Sequence, residues 1–457
     1  MADITLINTV LPSDVKVPPQ GLLYLSAALA EAGFSAEIRD YQFCADPAPW
    51  RPETLADFAK DGADVVGFSC MSYALPLVIR AAELIKARAP DTRIILGGIG
   101  PSPVARELLD YCGAFDAIVV GEGERTLVEL MQRLTAGREP GDVAGIAYRW
   151  NGRVTQTPKR ARIPSMVDLP APDYSRLDLG RYRIVDSQYA RGCPYSCTFC
   201  DIAPFWDRLN TRRPMTHYLD ELERLVKRHG ARDVFIVDDT FVLSRKVVME
   251  FCHGIKARGI DFNWGCYARV DLMDEELIAT MADAGCTKVF YGVESGSDRV
   301  LTEVVKETDT DTVSRIVETS LKHFDFVTAS FVWGFPNETY EDLQDTCFFL
   351  IYLTSLGASP QLNLALPYRY SQLYTQYKDQ ITFDPQYSSQ LQFYRGQDNR
   401  WAETMIAERP DLFSCFYQLP TPDFDRKWDY LQASGLSPHL LQHAYDHPIP
   451  QPVEAVA

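Results

Sequence analysis

The amino-acid sequence predicts an α/β protein built from an open parallel sheet, a partial (β/α)6 barrel and a small, mostly helical C-terminal cap. Short apolar runs rich in β-branched residues alternate with amphipathic stretches over the first 150 residues, and the alternation resumes near residue 187. Strands that are apolar throughout are buried on both faces, which is typical of parallel sheets covered by helices. The 457 residues are long enough for two to four domains, at roughly 100–200 residues per domain.

The first unit is predicted to cover residues 1–150. Gly33 follows an amphipathic stretch at the place where glycine commonly ends a helix, and Pro90 stops a second stretch. The predicted strands are Ile4–Val10, Ala36–Tyr41, Val65–Ser72, Arg93–Ile99 and Ala117–Gly121, and the predicted helices are Gly21–Ala32, Leu77–Ala89, Val104–Tyr111 and Thr126–Thr135.

Residues 151–185 are predicted to form a linker along the surface. Pro158, Pro164, Pro170 and Pro172 lie among arginine, lysine and aspartate residues, and no apolar period is sustained. This composition is typical of a segment that ends one domain and leads into the next.

Residues 186–370 are predicted to form the barrel. Six strand–helix repeats close most of a barrel but fall short of the usual eight. The predicted strands are Gln188–Gly192, Asp233–Val237, Phe262–Ala268, Lys288–Val293, Phe326–Trp333 and Gln361–Leu366, and the predicted helices are His217–His229, Arg245–Arg258, Glu275–Ala284, Thr310–His323 and Tyr340–Ser355.

Residues 371–457 are predicted to cap the barrel mouth and to set substrate choice. Trp401, Phe413, Tyr417 and Trp428 could stack on a planar substrate or hold a peptide. Large aromatic side chains are usually buried for packing, which favours the core of a small helical cap.

Composition and charge argue against several classes of protein. The net charge of −17 disfavours a general nucleic-acid binder. The best apolar run, residues 347–358, is well short of the ~20 residues that span a bilayer, and no basic region precedes an apolar stretch at the N-terminus. Eleven cysteines without secretory signals predict reduced thiols. We therefore expect a cytoplasmic protein without nucleic-acid or membrane partners.

Three closely spaced cysteines form the most informative motif. Cys193, Cys197 and Cys200 directly follow the first predicted strand of the second array. Thiolates suit zinc or iron–sulfur clusters, but a structural zinc site needs four ligands, and the closest downstream histidine is His217. Three thiolates leave one position open for chemistry, which favours a catalytic iron–sulfur site over zinc or over three buried core cysteines.

The motif Cys-x3-Cys-x-Phe-Cys after the first strand of a partial barrel resembles that of the radical S-adenosylmethionine (SAM) superfamily. The resemblance implies that Cys193, Cys197 and Cys200 hold a [4Fe–4S] cluster whose remaining iron chelates SAM. It also implies that an electron from an external reductant cleaves SAM to a 5′-deoxyadenosyl radical. Phe199 is implied as the neighbour of the adenine.

Further landmarks of the same resemblance lie at the carboxyl ends of predicted strands, where barrel active sites are built. Asp238 and Asp239 are implied as contacts of the methionine amino end, with a helix N-cap arrangement as the equal alternative. Arg269 is implied as the partner of the SAM carboxylate, with a surface salt bridge as the favoured alternative.

Two more segments complete the implied SAM site. Glu294 and Ser295 end the fourth strand, and a carboxylate can accept two hydrogen bonds from ribose hydroxyls. Asn337 stands in the loop after the fifth strand, where glycine is commoner in the family.

Glycines follow two strands of the first unit, at the edge where open α/β sheets bind ligands. Neither Gly97-Gly98 nor Gly121-Glu122-Gly123 completes a dinucleotide fingerprint, and tight turns are the alternative. Together with the barrel, the unit is similar to the Rossmann-like cobalamin (B12)-binding domain of cobalamin-dependent radical SAM enzymes. The resemblance implies cobalamin contacts from Pro19, Gln20, Gly21, Leu22, Ser69, Met71, Ser72, Tyr73, Gly97, Gly98, Gly121, Glu122 and Gly123.

One departure from some cobalamin proteins concerns the lower face of cobalt. The Asp-x-His-x-x-Gly signature, which supplies a histidine ligand to cobalt in those proteins, is absent, and the first histidine of the chain is His217. We therefore expect base-off cobalamin without a histidine ligand.

The resemblance implies an enzyme that moves a methyl group from methylcobalamin to a carbon centre of a small molecule or peptide. A radical cyclase or ring-rearranging enzyme that uses cobalamin without net methylation is the alternative within the class. A non-catalytic iron–sulfur or cobalamin sensor is the alternative outside it. RNA modification would predict an added basic domain, and the C-terminal residues offer none.

Overall fold

A computed structural model describes residues 2–394 and 399–436. Three groups of secondary-structure elements follow one another along the chain: a mixed sheet with helices on both faces, a six-stranded parallel sheet with outer helices, and a helical C-terminal region. None of the helices in these residues has the length and apolar character needed to cross a membrane.

The first sheet has seven strands in the order β2-β1-β3-β4-β5-β6-β7, of which the first five are parallel. The strands are β1 (Ile4–Asn8), β2 (Ala36–Asp40), β3 (Val65–Ser69), β4 (Arg93–Gly97), β5 (Ala117–Val119), β6 (Ile146–Trp150) and β7 (Arg153–Gln156). The helices are α1 (Gln20–Glu31), α2 (Pro52–Phe58), α3 (Leu75–Arg88), α4 (Ala105–Tyr111) and α5 (Gly123–Thr135). The predicted parallel α/β architecture is confirmed.

The antiparallel hairpin β6–β7 differs from the sequence prediction, because β7 lies within the segment expected to be linker. Asn151 and Gly152 both adopt positive φ between the two strands. A two-residue Asn-Gly turn of this kind is a strong hairpin signal in a sequence. The pair Asn151-Gly152 could therefore have predicted the hairpin.

The second sheet contains six parallel strands in the order β15-β14-β13-β12-β11-β8, as expected for a partial barrel. The strands of this region are β8 (Val185–Ser187), β9 (Ala190–Arg191), β10 (Thr211–Arg212), β11 (Asp233–Ile236), β12 (Asn263–Ala268), β13 (Cys286–Glu294), β14 (Phe326–Trp333) and β15 (Ser359–Leu364). The helices are α6 (Ile202–Phe205), α7 (Met215–His229), α8 (Arg245–Ala257), α9 (Glu275–Asp283), α10 (Asp298–Glu303), α11 (Thr310–Ser320) and α12 (Tyr340–Leu356).

The predicted first barrel strand, Gln188–Gly192, is wrong. The barrel strand is β8, which ends at Ser187, whereas β9 pairs antiparallel with β10 outside the barrel. The carboxylate of Asp238 accepts the backbone N–H groups of Tyr189 and Ala190, at 2.7 and 2.9 Å. These bonds turn the chain away from the sheet after β8, because an amide bound to a side chain cannot also join the strand ladder.

The described part of the C-terminal region adds α13 (Gln372–Tyr377), α14 (Arg400–Glu408) and α15 (Phe424–Ala433). Phe413 and Tyr417 are buried in the same cluster as α3 and α4, whereas Trp428 joins the cluster of the barrel. The prediction that these three aromatics serve packing is confirmed, but they complete the cores of both sheets instead of forming one of their own. Trp401 is half-buried.

Candidate active site

The cysteine loop, residues 192–200, follows β9, and its first residue, Gly192, fixes its position against residues 209 and 210. Gly192 has a φ of +95°, and a Cβ at this position would lie 1.9 Å from the carbonyl oxygen of Leu209. The side chain of Asn210 donates to the carbonyl of Gly192 at 2.7 Å. Only glycine permits this close approach, which sets the direction in which the chain enters the loop with Cys193.

Asp238 and Asp239 hold the segment that leads into the cysteines. Asp238 binds the two amides described above, and Asp239 accepts the N–H of Gly192 at 2.7 Å. Burial raises the pKa of Asp238 to about 8 and that of Asp239 to about 6, although the backbone donors oppose this rise. Neither carboxylate caps a helix, so the helix N-cap arrangement considered as the alternative from the sequence is wrong.

Arg269 lies beside the cysteines. Its guanidinium is 3.8 Å from the sulfur of Cys197 and stacks on the ring of Tyr195 at 3.6 Å. It also pairs with Asp271 at 3.0 Å, but the arginine side chain is buried. A surface salt bridge, the alternative favoured from the sequence, is therefore wrong.

Glu294 is paired with a residue that the sequence did not single out, Lys306, at 2.7 Å. Both side chains are buried, and Glu294 has a φ of +71° at an irregularity of the β13–β14 register. A Cβ on Gly292 would lie 2.4 Å from the Glu294 carboxylate and 2.9 Å from the Lys306 ammonium, so glycine makes room for the pair. Strained backbone of this kind is concentrated at functional sites.

Lys306 also connects this pair to the cysteine loop. Its backbone carbonyl accepts a hydrogen bond from Arg269 at 2.6 Å, and the carbonyl of Val304 accepts the N–H of Thr198 at 3.1 Å. Burial raises the pKa of Cys197, and the nearby charges of Lys306 and Arg269 oppose that rise. Lys306 has no recognisable local motif, so only its positively charged side chain in a loop after α10 could have drawn attention to it.

Phe199 faces a cavity of about 190 Å³ at the carboxyl ends of β14 and β15. Its ring lies 5.7 Å from that of Phe335, and Thr198 accepts the N–H of Leu373 from the C-terminal region at 3.1 Å. The cavity is lined by Phe199, Val332, Asn363, Leu364, Ala365, Leu366, Tyr368, Ser389 and Gln390. Its walls are mostly apolar with a few polar groups, which suits a flat heterocycle.

Two of the implied SAM contacts bond to other parts of the barrel. Ser295 is fully buried and bonded through its hydroxyl to that of Thr346 at 3.0 Å. Asn337 is exposed, and its carbonyl accepts a hydrogen bond from Arg299 at 2.8 Å. Arg269 thus contacts Cys197, and Glu294 is joined to the cysteine loop through Lys306, whereas these bonds of Ser295 and Asn337 go to Thr346 and Arg299.

The donor set fits an iron–sulfur cluster. Cys193, Cys197 and Cys200 are unbridged thiols on one loop, and the cationic groups of Arg269 and Lys306 lie near Cys197. In the described residues, no three His, Cys, Asp or Glu side chains converge on a single metal ion. Ligands of a cluster need not converge in this way, because each thiolate binds a different iron.

A second cavity, of about 260 Å³, opens at the carboxyl edge of the first sheet. Its floor is apolar, with Leu6, Ile95 and Leu127, and polar side chains stand on its walls. Nine of the thirteen residues implied for cobalamin line it, namely Gln20, Gly21, Leu22, Ser69, Gly97, Gly98, Gly121, Glu122 and Gly123.

The walls of this cavity fit a bulky group with apolar and polar parts. A Cβ on Gly21 or Gly121 would meet no atom within 4 Å, and one on Gly97 would meet its nearest neighbour at 3.8 Å. The Nε2 atom of Gln20 is buried, and no acceptor in the described part of the chain reaches it. The remaining residues implied for cobalamin lie outside the cavity wall: Pro19 precedes α1, Met71 is exposed, Ser72 lines a narrow crevice beside Asp201, and Tyr73 stacks on Phe393.

A buried arginine, Arg191, links the cavity of the first sheet to the segment that precedes the cysteine loop. Arg191, two residues before Cys193, pairs with Glu124 at 2.7 Å and with Glu122 at 3.5 Å. It also lines the cavity of the first sheet, together with Gln188 and Trp206 from the barrel region. Glu122 in addition pairs with Arg162 at 3.2 Å. The glycine-rich turn after β5 is therefore tied directly to β9, the strand that precedes the cysteine loop.

Comparison with known proteins supports both halves of the chain. The model of the B12 binding domain matches residues 8–131, and that of the Radical SAM superfamily matches residues 187–350. The anaerobic magnesium-protoporphyrin IX monomethyl ester cyclase of Rubrivivax gelatinosus is 30% identical over 381 residues, which are 80% of this chain and 67% of the cyclase. The chain belongs to the cobalamin-dependent radical SAM family. The resemblance inferred from the sequence is confirmed.

Other similar proteins extend this picture of the family. An uncharacterised methyltransferase of Pyrococcus horikoshii is 29% identical over 360 residues, which are 77% of this chain and 76% of the methyltransferase. The solved structure of the radical SAM methyltransferase TsrM from Kitasatospora setae has a TM-score of 0.67 at 20% identity and covers 83% of this chain and 78% of its own. The relatives of this cobalamin-dependent radical SAM enzyme therefore include both methyltransferases and cyclases, and the TsrM structure contains cobalamin and a [4Fe–4S] cluster.

Proposed function

We propose that this cobalamin-dependent radical SAM enzyme is a methyltransferase that acts on a carbon centre of a small molecule or peptide. The observation that carries the proposal is the direct contact between the two cofactor regions. Arg191 lines the cavity of the first sheet and stands two residues before Cys193. The segment that leads into the cysteines therefore forms part of the wall of the cavity that would hold the methyl donor.

The side chains of the barrel mouth have separate tasks in this proposal. Cys193, Cys197 and Cys200 would hold the cluster, and the guanidinium of Arg269 would donate a hydrogen bond to the sulfur of Cys197. Glu294, oriented by its ion pair with Lys306, would accept hydrogen bonds from ribose hydroxyls. The cavity beside Phe199 would exclude water from the adenine.

The residues of the first sheet would hold cobalamin at the glycine-lined edge. When bound, the cluster and SAM supply one-electron chemistry and cobalamin supplies a transferable methyl group. The apolar floor of Leu6, Ile95 and Leu127 would bury apolar surface of the cofactor, and Gln20 would donate a hydrogen bond from its free amide. An external one-electron reductant is part of the proposal.

We further propose that cobalamin binds base-off and that cobalt has no histidine ligand. All seven histidines lie at or beyond residue 217, so the first sheet contains none. Electron paramagnetic resonance of the reconstituted enzyme in the cob(II)alamin state should lack nitrogen superhyperfine splitting. Observation of that splitting would refute the proposal.

Product analysis tests methyl transfer without knowledge of the substrate. Anaerobically reconstituted enzyme is incubated with methyl-labelled SAM, a reductant and cell extract, and the adenosyl products are quantified. A methyltransferase should release S-adenosylhomocysteine as well as 5′-deoxyadenosine and should place the label in a new product. The Cys197→Ala variant should lose 5′-deoxyadenosine.

A cyclase is the second candidate, because a relative that reaches 30% identity is named as one. A cyclase without net methylation should form 5′-deoxyadenosine but no S-adenosylhomocysteine above the background without cobalamin. That result would exclude methyl transfer and favour cyclisation or rearrangement.

A further inference from the structure

Lys427 is a fully buried lysine in the helix α15 of the C-terminal region. Its neighbours in the helix, Phe424 and Trp428, pack their rings on Trp333 at the end of β14, with centroids 5.4 and 6.3 Å apart. This packing carries the ammonium of Lys427 to the loop that follows β14. Lysine is almost never fully buried without a partner, so its contacts here are informative.

All three hydrogen-bond donors of the ammonium are used. Lys427 donates to the carbonyl oxygen of Glu338, to its carboxylate at 3.1 Å and to the hydroxyl of Thr421 at 3.0 Å. Glu338 is also fully buried, and its carboxylate accepts the N–H of Gly334 at 2.8 Å. The lysine therefore holds Glu338, 89 residues away in sequence, and the carboxylate of Glu338 joins the two ends of the loop of residues 334–338.

The same loop reaches the SAM region through Phe335. The hydroxyl of Thr421 donates to the carbonyl of Phe335 at 2.7 Å, and the ring of Phe335 contacts that of Phe199. Phe199 in turn stands next to Cys200 and lines the cavity at the strand ends. A continuous chain of contacts thus runs from Lys427 to the wall of this cavity.

We propose that Lys427 is a positioning residue for SAM, acting through Glu338 and Thr421 on the loop of residues 334–338. The ion pair makes the C-terminal helix part of the SAM site without contact between the helix and SAM. This inference rests on SAM as the cofactor of the barrel, not on the nature of the reaction that follows.

The test compares SAM binding with stability in variants that leave no buried charge unpaired. In the double variant Lys427→Met/Glu338→Gln both charges are removed, so the melting temperature should stay close to that of the wild type. The dissociation constant of SAM, measured by equilibrium dialysis on the anaerobically reconstituted enzyme, should rise by about tenfold. Iron and cobalamin contents should not change, and the response of the reduced cluster signal to SAM should weaken.

Two further variants complete the design. Thr421→Val removes one link without a charge and should also weaken SAM binding, which keeps the proposal testable if the double variant does not fold. Lys227→Met breaks an exposed ion pair with Glu223 and should leave SAM binding unchanged. A wild-type dissociation constant in the double variant or, should that variant not fold, in Thr421→Val overturns the proposal, as does a parallel loss of iron. Failure of the wild type to bind SAM would instead refute the cofactor assignment.

Discussion

Replacement of Lys306 by methionine tests the buried ion pair beside the cysteine loop. The ammonium lies 2.7 Å from the carboxylate of Glu294, and the two side chains are only 7% and 9% exposed. Removal of one partner of such a pair typically costs about 3–5 kcal/mol, because the other charge stays buried without compensation. For a cooperative unit of about 150–250 residues, this corresponds to a fall in melting temperature of about 6–20 °C.

Differential scanning fluorimetry of the apoprotein under anaerobic conditions measures this fall. The double variant Lys306→Met/Glu294→Gln should recover most of it, since no charge is then left unpaired. Lys256→Met, which breaks an exposed pair with Asp283, serves as the control and should cost less than about 1 kcal/mol. A melting temperature of Lys306→Met within the range of this control would refute the reasoning.

Three further predictions concern the cysteine loop, the side chain of Asp238 and the cavity of the first sheet. Gly192→Ala should lower the iron content after reconstitution to less than about a tenth, because the new Cβ would lie 1.9 Å from a carbonyl oxygen at a φ of +95°; a normal iron content would contradict this. Burial raises the pKa of Asp238 to about 8. Between about pH 4 and 8 the folded state therefore keeps a proton that the unfolded state has lost. The free energy of unfolding should consequently fall as the pH rises through this range. Urea midpoints at pH 6 and 8.5 should therefore differ in the wild type, and this difference should shrink in Asp238→Asn. Equal wild-type midpoints would count against the raised pKa. Gly97→Ile should fill the cavity of the first sheet and weaken cobalamin binding at least about tenfold by absorbance titration, whereas Gly113→Ile, at an exposed turn, should not; equal binding by both variants would place cobalamin elsewhere.

The two α/β arrays were predictable because their signals are local. Runs such as Val65–Ser69 are apolar on both faces, and the amphipathic helices between them are ended by glycine or proline. These periodicities are set within a few residues and do not depend on the rest of the chain. The spacing of Cys193, Cys197 and Cys200 is local in the same sense, so three thiols on one loop could be inferred from sequence.

Errors arose where a distant side chain competes with the local pattern. Ala190 and Arg191 have the character of a strand, but the carboxylate of Asp238 takes the amides of Tyr189 and Ala190 from the barrel ladder. Arg269 looked like a surface residue, although the barrel encloses it beside Cys197. In both cases the deciding partner lies some 50 to 70 residues away, a separation at which periodicity carries no information.

The two α/β arrays, the cysteine loop and the family could be inferred from the amino-acid sequence, because each depends on residues close together in the chain. The pairing of Lys306 with Glu294, the link that Arg191 makes between the turn after β5 and the cysteine loop, and the contact of Lys427 with Glu338 became visible with the folded structure. The partner of a charged side chain cannot be identified from the residues next to it in sequence. The pairing is decided when the helices and sheets pack and bury the charge. Isolated charges cannot remain in a core, so the packing that excludes water also brings these pairs together.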